Sequence, residues 1–312
     1  MEAEEKRHSL LFDLVTRLVK EKPLGTLGGV IALVVFISAI FAEFVAPYPP
    51  VALELTNRLL PPSAEHWMGT DSLGRDLFSR IVFGARVSMI VGLGAPAIGM
   101  VVATIIGGIS GYIGGKYDMV VQRFIDAWMS FPGLILYLTI MAVIGAGLLQ
   151  VVLVLGISGG IGSSRIIRGA VIGIKENVYV EAARAIGTPV RGILIRHILP
   201  NIMPVVIVIF STGIAWAILA EAAISFLGFG VPPPTPSWGG MLSGPGRQYM
   251  LEAPWLALWP GLVLSVVVYS VNMLGDAVRD ILDPRLRGGL GRYTRGKGKK
   301  RTRGSKSAPA QS

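Results

Sequence analysis

The chain contains no cysteine, and histidine occurs only at His8, His66 and His197. Without cysteine the protein has no disulfide bond, no thiol nucleophile and no cysteine-based metal site. The three imidazoles are too scattered along the sequence to predict a metal centre. We therefore expect this chain to bind no metal and to use no thiol chemistry.

Charge is also scarce. Only 15% of the 312 residues are charged and 52% are apolar, whereas soluble domains contain roughly 25% charged residues. The first long apolar window exceeds a signal-peptide core and lacks a clear cleavage site, so we interpret it as a retained span. The composition predicts an all-α membrane protein with six transmembrane helices. Windows long enough to cross a hydrocarbon core of about 30 Å begin near Leu24, Val87, Phe124, Leu148, Ile202 and Pro254.

These windows divide the chain into five parts. We predict an N-terminal arm (1–23), a first transmembrane helix (24–46), a loop with an amphipathic helix (47–86), a membrane core (87–287) and a basic tail (288–312). Eight basic residues between Arg292 and Lys306 account for most of the net charge of +10. A solvated, disordered tail is the simplest interpretation. Contact with anionic lipid headgroups is the alternative, and nucleic acid is the least favoured partner.

The distribution of basic residues predicts an orientation. Twenty-four of the lysines and arginines fall before the first span, in alternate connections and after the last span, and five fall on the other side. Because cytoplasmic connections carry the excess of basic residues, both termini and the polar segment 179–201 are expected in the cytoplasm. The predicted location is the inner (cytoplasmic) membrane, crossed several times.

Acidic residues are rare in the apolar windows. Glu43, Asp126 and Glu221 are the only ones within or beside them, and each lies near a predicted end. We interpret them as interfacial or paired carboxylates, with an i, i+3 ion pair between Asp126 and Arg123, although a transport role for Glu221 stays open. Since a proton-coupled carrier usually has ionisable groups deep in its spans and an enzyme needs converging groups, neither class is favoured.

One segment of the chain resembles a nucleotide-binding loop but lacks residues and flanking structure that such a loop requires. GRYTRGKG, from Gly291 to Gly298, matches the glycine and lysine spacing but has Gly298 where serine or threonine must reach magnesium. No apolar strand precedes it and no helical pattern follows it. We expect no ATP site on this chain, so energy for uphill transport must come from another polypeptide.

The polar segment 179–201, which we call the hairpin, predicts two helices joined by a turn. Good helix formers precede Gly187, which tolerates the left-handed conformation that ends a helix. Thr188 is then the expected N-cap, and Pro189 the first helical position. Leu199, Pro200 and Pro204 are expected to end the second helix. Its apolar face contains Val190, Ile193, Leu194, His197 and Ile198, with Arg191 and Arg196 turned away.

Two segments on the other side of the membrane also have distinctive patterns. In the first, Asp71 or Ser72 is the expected N-cap of a helix that lies along the membrane surface. In the second, a proline run from Pro232 to Pro236 predicts an ordered turn, with Trp238 as an interfacial anchor. The helix in the first of these two segments carries an apolar stripe of Leu73, Leu77, Phe78, Ile81 and Val82.

The hairpin supports a family resemblance. Its Glu181-Ala182-Ala183, Gly187 and Leu199-Pro200 resemble the EAA loop of permease subunits in binding-protein-dependent ATP-binding cassette (ABC) importers. His197 departs from the general pattern, which prefers isoleucine, but HILPN is common in the dipeptide, oligopeptide and nickel branch. The resemblance covers roughly residues 25–287. Further positions of structural importance are Gly69, Thr70, Asp71, Gly74, Arg75, Asp76, Asp126, Gly228, Trp238, Asn272, Gly275, Asp276, Arg279, Asp280, Asp283, Pro284 and Arg285.

The resemblance implies a fold and a set of partners. The expected fold is an N-terminal helix followed by a five-helix type I importer core. The expected partners are a second, similar permease, two ABC ATPase subunits that bind ATP and Mg²⁺, an extracytoplasmic solute-binding protein and membrane lipid, with no nucleic acid and no cofactor on this chain. The residues expected to contact the ATPase are Glu181, Ala182, Ala183, Arg184, Gly187, Thr188, Pro189, Arg191 and Pro200.

The solute is left open. Dipeptides, oligopeptides, nickel complexes and oligosaccharides all fit the resemblance, because the external binding protein largely sets specificity in such importers. The pathway-lining residues and the choice between a homodimer and a heterodimer are also open. An ATP-independent secondary transporter or channel is the alternative function, and a membrane enzyme is a weaker one.

Overall fold

The structure, a computed structural model, describes residues 10–282. Helices account for nearly all the regular structure in this range, and the only strand-like pairing there is an isolated bridge between Thr70 and Asp76. A 3₁₀ turn covers Leu55–Asn57. The helices are α1 (Leu10–Glu21), α2 (Pro23–Ile40), α3 (Ala42–Val45), α4 (Leu77–Ile113), α5 (Gly115–Met129), α6 (Gly133–Ile144), α7 (Leu148–Lys175), α8 (Val178–Ala185), α9 (Val190–Gly192), α10 (Leu199–Phe226), α11 (Trp238–Ser243), α12 (Pro245–Gln248) and α13 (Trp255–Leu282).

Five helices in the described range are long and apolar enough to cross a membrane: α2, α4, α7, Val190–Phe226 and α13. The third predicted span, from Phe124, is not a straight helix. It is the pair α5 and α6, bent by 88°. Pro132 precedes α6 with an extended ψ of 124°, and because proline has no N–H and restricts the residue before it, the helix breaks there.

The start of α4 differs from the prediction. Asp76 is the N-cap, and its Oδ2 accepts a hydrogen bond from the Ser79 N–H at 2.8 Å. The expected surface helix with an N-cap at Asp71 or Ser72 is therefore wrong. Leu73 lies before α4, and the other residues of the stripe belong to the first turns of this 37-residue span. Leu77 and Ile81 are buried in the protein core. The prediction failed because the same apolar periodicity fits a core helix and a surface helix.

Glycines bring α4 and α7 together. A Cβ atom at Gly107 would lie 2.3 Å from the Ser164 carbonyl oxygen, and one at Gly160 would lie 2.7 Å from that of Gly99. The two backbones are thus in direct contact, as small residues allow between membrane helices. The core beside this contact is built from Val91, Ala95, Val151 and Leu155.

The first span packs against the last one. A Cβ atom at Gly28 would lie 2.3 Å from the Ser270 carbonyl oxygen of α13. At the end of this contact, Lys22 Nζ donates to Asp280 Oδ2 at 2.5 Å. The helix α2 is therefore attached to the rest of the bundle mainly through α13.

The second helix of the hairpin does not end at Leu199 or Pro200, so that prediction is wrong. It runs from Val190 to Phe226, with a π-helical turn at Ile193–Ile198 and Pro204 inside it. The Leu199 N–H donates to the Leu194 carbonyl, an i to i−5 bond, and Asn201 Nδ2 donates to the His197 carbonyl at 2.6 Å. The wider turn and the side-chain bond accommodate Pro200, so the hairpin is rigidly continuous with a membrane span.

Candidate coupling and translocation site

The turn of the hairpin has the predicted backbone. Gly187 lies at φ +79°, and its N–H and that of Thr188 donate to the Arg184 and Ala183 carbonyls at 3.0 Å each. This is the expected left-handed end of α8. The N-cap of the following helix is Pro189, with ψ 149°, and Val190 is the first helical residue. The predicted N-cap at Thr188 is thus one residue early, because both residues are good helix starters.

One predicted contact residue faces inward. Ala183 is buried with Val180 in a core cluster that also contains Ile193 and Ile198 of the hairpin and Val171 of α7. The expectation that Ala183 offers a docking surface is therefore wrong, because its side chain already packs against the chain's own helices. Its role is to hold α8 against α7 and the second arm.

The rest of the hairpin is open to a partner. Its exposed residues include Glu181, Ala182, Arg184, Gly187, Pro189, Arg191, Arg196 and Pro200, with Thr188 half-buried. The predicted outward direction of Arg191 and Arg196 is confirmed. Arg184 also lies over the Tyr112 ring of α4, with 5.6 Å between the guanidinium carbon and the ring centroid, and this contact braces the hairpin against the end of α4.

The prediction missed the apolar part of this surface. Val178 is 80% exposed and Ile186 83% exposed. Tyr179, Val190 and Ile195 are exposed as well. Such a group of large apolar side chains indicates a binding surface rather than a solvated loop. The available signal was the presence of Val178 and Ile186 in an otherwise polar loop.

Ion pairs join α5 to α7. Asp118 accepts hydrogen bonds from Arg168 Nε at 2.6 Å and from Ser110 Oγ at 2.5 Å, and Arg168 Nη2 binds its other oxygen. Asp126 pairs with Arg165 and, at 3.7 Å, with Arg123. The predicted pair of Asp126 and Arg123 is confirmed, and the contacts with α7 are additional.

A cavity of about 480 Å³ lies in the bend between α5 and α6; we call it the elbow cavity. Tyr137 and Trp216 line it and meet edge to face, with ring centroids 6.0 Å apart. Ligand sites are commonly apolar cavities of roughly 300–1,000 Å³ with a few polar groups. The lining includes Pro96 of α4, Trp128, Met129, Phe131, Gly133, Leu136 and Tyr137 of the bent pair, Ser158, Gly159 and Ser163 of α7, and Thr212 and Trp216 of α10.

On the face opposite the hairpin, which we call the far face, the segment 69–76 forms a closed turn. Asp71 Oδ1 accepts from the Leu73 and Arg75 N–H groups at 2.8 and 3.0 Å, and Asp71 Oδ2 accepts from Arg75 Nε at 2.7 Å. Gly69 and Gly74 have φ +79° and +73°. A Cβ at Gly74 would lie 1.8 Å from the Glu54 carbonyl oxygen. These residues shape the turn that precedes α4.

Trp238 is fully buried, so its interpretation as an interfacial anchor is wrong. Its Nε1 donates to the Ile81 carbonyl of α4 at 3.0 Å, and its ring lies against Gly84. Gly228, at φ +86°, ends α10 and leads into the proline-rich loop. Trp238 thus holds that loop against α4 by a buried contact.

Glu43 and Glu221, the other two acidic residues in or beside the apolar windows, lie in different environments. Glu43 pairs with Arg86 at 2.7 Å, as expected for a paired carboxylate, and hydrogen bonds from that guanidinium hold the pKa of Glu43 below its usual value. Glu221 is fully buried, with Oε1 accepting from Ser225 Oγ at 2.7 Å and Oε2 without a partner among residues 10–282. The interfacial, ion-paired interpretation of Glu221 is therefore wrong.

The α13 positions separate into packing and exposed groups. Gly275 lies close to the Ser211 carbonyl of α10, and Asp280 pairs with Lys22. Asn272, Asp276 and Arg279 are exposed. The described residues do not include Asp283, Pro284, Arg285, the basic tail or the segment GRYTRGKG, which resembles a nucleotide-binding loop. Within residues 10–282, no group of three or more His, Asp or Glu side chains could hold a metal ion.

Comparison with known families decides what these features belong to. Residues 76–288 match the model of the binding-protein-dependent transport system inner membrane component. The chain belongs to that family. Residues 11–62 match the N-terminal transmembrane domain of oligopeptide transport permease C. The protein is accordingly a multi-pass inner-membrane permease of an ABC importer, and the transporter or channel alternative is not favoured.

Relatives extend over most of the chain. The dipeptide transport system permease protein DppC of Bacillus subtilis is 39% identical over 285 residues, covering 90% of this chain and 88% of that protein. The glutathione transport system permease protein GsiD of Pectobacterium atrosepticum is 38% identical, covering 83% and 86%. A chain of the inward-facing MetNI methionine ABC transporter aligns with a TM-score of 0.49 at 17% identity, covering 65% of this chain and 96% of that one.

Proposed function

We propose that this chain forms one half of the translocation pathway of an ATP-driven importer of dipeptides and related short peptides, and that its hairpin docks on an ABC ATPase. The observation that carries the proposal is the construction of the hairpin. One face of it, through Val180, Ala183 and Ile193, is packed into the core of the permease. The other face, together with Val178 just before it, exposes Ile186 and charged side chains to a partner.

The hairpin is connected to the walls of the elbow cavity. It follows α7 after Lys175 and continues without interruption into α10. Both helices line the cavity, α7 through Gly159 and α10 through Trp216. Movement of the ATPase would therefore displace the two cavity walls as rigid bodies and alternate access between the two sides of the membrane.

The orientation follows from charge. By sequence, the connections expected on the side of the hairpin carry 24 of the 29 lysines and arginines, so we place this face in the cytoplasm under the positive-inside rule. Both termini belong to the same side. The far face is then extracytoplasmic, where a solute-binding protein would deliver its cargo.

The relatives and the cavity suggest the class of solute. Two similar permeases are named for dipeptides and glutathione, which are short peptides. The elbow cavity has the volume of a small-ligand site. Its aromatic pair Tyr137 and Trp216 offers apolar surface to a side chain, while Ser158, Ser163 and Thr212 are able to hydrogen bond to a peptide backbone.

The complete transporter requires other chains. A second permease, similar but distinct, would close the open side of the elbow cavity, and two ATPases would bind ATP and Mg²⁺. The glycine-rich GRYTRGKG lacks the serine or threonine and the strand–helix setting of a phosphate-binding loop. We therefore assign no cofactor and no ATP hydrolysis to this chain.

Reconstitution tests this proposal. Vesicles that contain the two permeases and the ATPases should take up labelled dialanine only with ATP on the hairpin side and the binding protein on the far side. Vesicles with this chain alone should take up none. ATP-independent uptake by the chain alone would contradict the importer function and favour a secondary transporter. Uptake of a different solute class by the full complex would contradict only the assignment of peptides.

A further inference from the structure

A second cavity, of about 300 Å³, lies on the far face; we call it the far cavity. Its first wall is made by Asp71, Arg75 and Arg80, from the turn 69–76 and the start of α4. Its second wall is made by Pro232, Pro233, Thr235 and Ser237 of the proline-rich loop. The two distinctive far-face segments of the sequence therefore enclose one space, which the hairpin and the elbow cavity do not use.

In the first wall, positively charged side chains outnumber negatively charged ones. Arg75 Nε and Arg80 Nε lie 2.7 and 3.6 Å from the same oxygen, Asp71 Oδ2. The three side chains are only 10%, 9% and 5% exposed. Asp71 Oδ1 is already occupied by two backbone N–H groups. Two guanidinium groups thus share one carboxylate, and the cluster has an excess of positive charge.

The neighbouring acids do not compensate for this excess within the cavity. Asp76 is directed to His66 Nδ1 at 2.9 Å and to the N–H and hydroxyl of Ser79. Glu221 is fully buried, where Ser225 donates to it, and does not line the cavity. Among the lining residues, all of which the structure describes, Asp71 is the only acid.

Hydrogen-bond donors remain available in the cavity. A guanidinium group has five N–H donors in a planar fork. Arg80 Nη1 donates to the Pro50 carbonyl at 2.8 Å, but the terminal nitrogens of Arg75 have no hydrogen-bond acceptor among residues 10–282. Thr235 and Ser243 line the same cavity, and each has a hydroxyl group that is able to donate. This set of donors fits a planar anion, above all a carboxylate.

We propose that the far cavity is a carboxylate-binding site that receives an aspartate or glutamate side chain of the extracytoplasmic solute-binding protein. The partner rests on the proposed function, whereas the carboxylate chemistry rests on Arg75, Arg80 and Asp71 alone. Proline walls keep the cavity in shape without the partner, which lowers the cost of ordering on binding. A buried charge pair at this position would fix how the binding protein sits on the permease.

Arginine footprinting tests the chemistry in the unmodified protein. The reconstituted complex is treated with phenylglyoxal, and modification of Arg75, Arg80 and the exposed Arg247 is followed by peptide mass spectrometry. Acetate should slow modification of Arg75 about threefold or more by occupying its fork, and methylammonium should not. Arg247, on the same face but outside the cavity lining, should respond to neither. Equal protection of Arg247, or no protection of Arg75, would overturn the site.

Variants test the occupant. Arg75→Gln should raise the concentration of binding protein that half-stimulates ATP hydrolysis about tenfold, because it removes one partner of a buried charge contact. Arg75→Lys should give a smaller shift, since it keeps the charge but loses the fork. Arg247→Gln is the matched control and should give none. An unchanged half-stimulating concentration in Arg75→Gln, with normal co-purification of the ATPase, would overturn the docking assignment.

Two further outcomes separate the proposals. If dialanine alone protects Arg75 from phenylglyoxal and the ligand-free binding protein does not, the carboxylate comes from the solute and the docking assignment is wrong. If the wild-type complex shows no ATP-driven uptake, the proposed function fails. The acetate footprint needs no transport and decides the carboxylate site in either case.

Discussion

At the residue scale, the backbone of the hairpin depends on Gly187. Its φ of +79° is a conformation that a β-branched residue adopts only with strain, on the order of 1–3 kcal/mol. Gly187→Val should therefore distort the angle between the two arms and lower the amount of solute taken up per ATP hydrolysed. Membrane insertion should be retained, because the apolar spans are unchanged.

The control is Gly173→Val in α7. Gly173 is an exposed helical residue without a positive φ, and no atom beyond its chain neighbours and its own helix backbone lies within 4 Å of the position that a Cβ atom would take, so a side chain is tolerated there. Uptake and hydrolysis are measured in the same vesicles for both variants. Normal coupling in Gly187→Val, with normal co-purification of the ATPase, would show that the turn does not set the docking geometry.

Ala182 and Ala183 are adjacent, but replacement by leucine should affect a different property at each position. Ala183 is buried between α7 and the second arm, so Ala183→Leu should overpack the core and destabilise the permease by about 1–3 kcal/mol. Ala182 is exposed, so Ala182→Leu should leave stability unchanged and reduce binding of the ATPase. Thermal unfolding in detergent and co-purification of the ATPase distinguish the two. Equal loss of stability in both variants would contradict the assigned faces.

At the element scale, α5 is held to α7 by the contact of Asp118 with Arg168, at 2.6 Å to Nε. Arg168→Glu should weaken this contact and reduce uptake, because α5 forms part of the elbow that bounds the cavity. The exchange Asp118→Arg with Arg168→Glu restores opposite charges and should recover part of the uptake. The side chains are partly exposed, so solvent screening limits the recovery.

Uptake is compared at equal amounts of assembled complex. The matched control is Arg123→Glu, since Arg123 is highly exposed and pairs with Asp126 only at 3.7 Å. It should reduce uptake less than Arg168→Glu does. If the double exchange is no better than Arg168→Glu alone, the pairing of the two charges is not what holds α5 in place.

The elements also show which features were local enough to predict. The apolar windows, the left-handed Gly187 and the pair of Arg123 with Asp126 depend on neighbouring residues, and all three are present. The 88° bend was missed because Pro132 lies inside an apolar window. The contact of Arg168 with Asp118 joins residues far apart in sequence, as does the elbow cavity. Such contacts depend on how the helices pack, which periodicity alone does not determine.

The inward position of Ala183 and Trp238 has the same cause. Each lies in a segment that reads as polar or interfacial. Trp238 is buried against α4, which is distant in sequence, and Ala183 is buried against α7 and the second arm of the hairpin. The N-cap of α4 was misplaced for a different reason, since the prediction considered only Asp71 and Ser72, whereas Asp76 is the N-cap in the structure. Asp71 binds the backbone of its own turn instead. Neither predicted residue is the N-cap, because the turn 69–76 takes up Asp71 and the helix begins only after Asp76.

At the scale of the whole molecule, the absence of cysteine makes the orientation testable. Ile186 on the hairpin is 83% exposed and Leu251 on the far face is 95% exposed, so a cysteine at either site is reachable from its own side. In intact cells, a membrane-impermeant maleimide should label Leu251→Cys. It should label Ile186→Cys only after the membrane is opened, because the orientation that we propose from the positive-inside rule places the hairpin in the cytoplasm. The parent chain supplies no background.

The same pair of variants reports on assembly. When the ATPase subunits are co-expressed, they should cover the hairpin and slow labelling of Ile186→Cys in opened cells, while labelling of Leu251→Cys stays the same. Labelling of Ile186→Cys in intact cells would reverse the assigned topology. It would place the hairpin beyond the reach of any cytoplasmic ATPase, and the coupling function would fail with it. Protection that requires the ATPase would instead connect the exposed apolar patch to the subunit that supplies the energy.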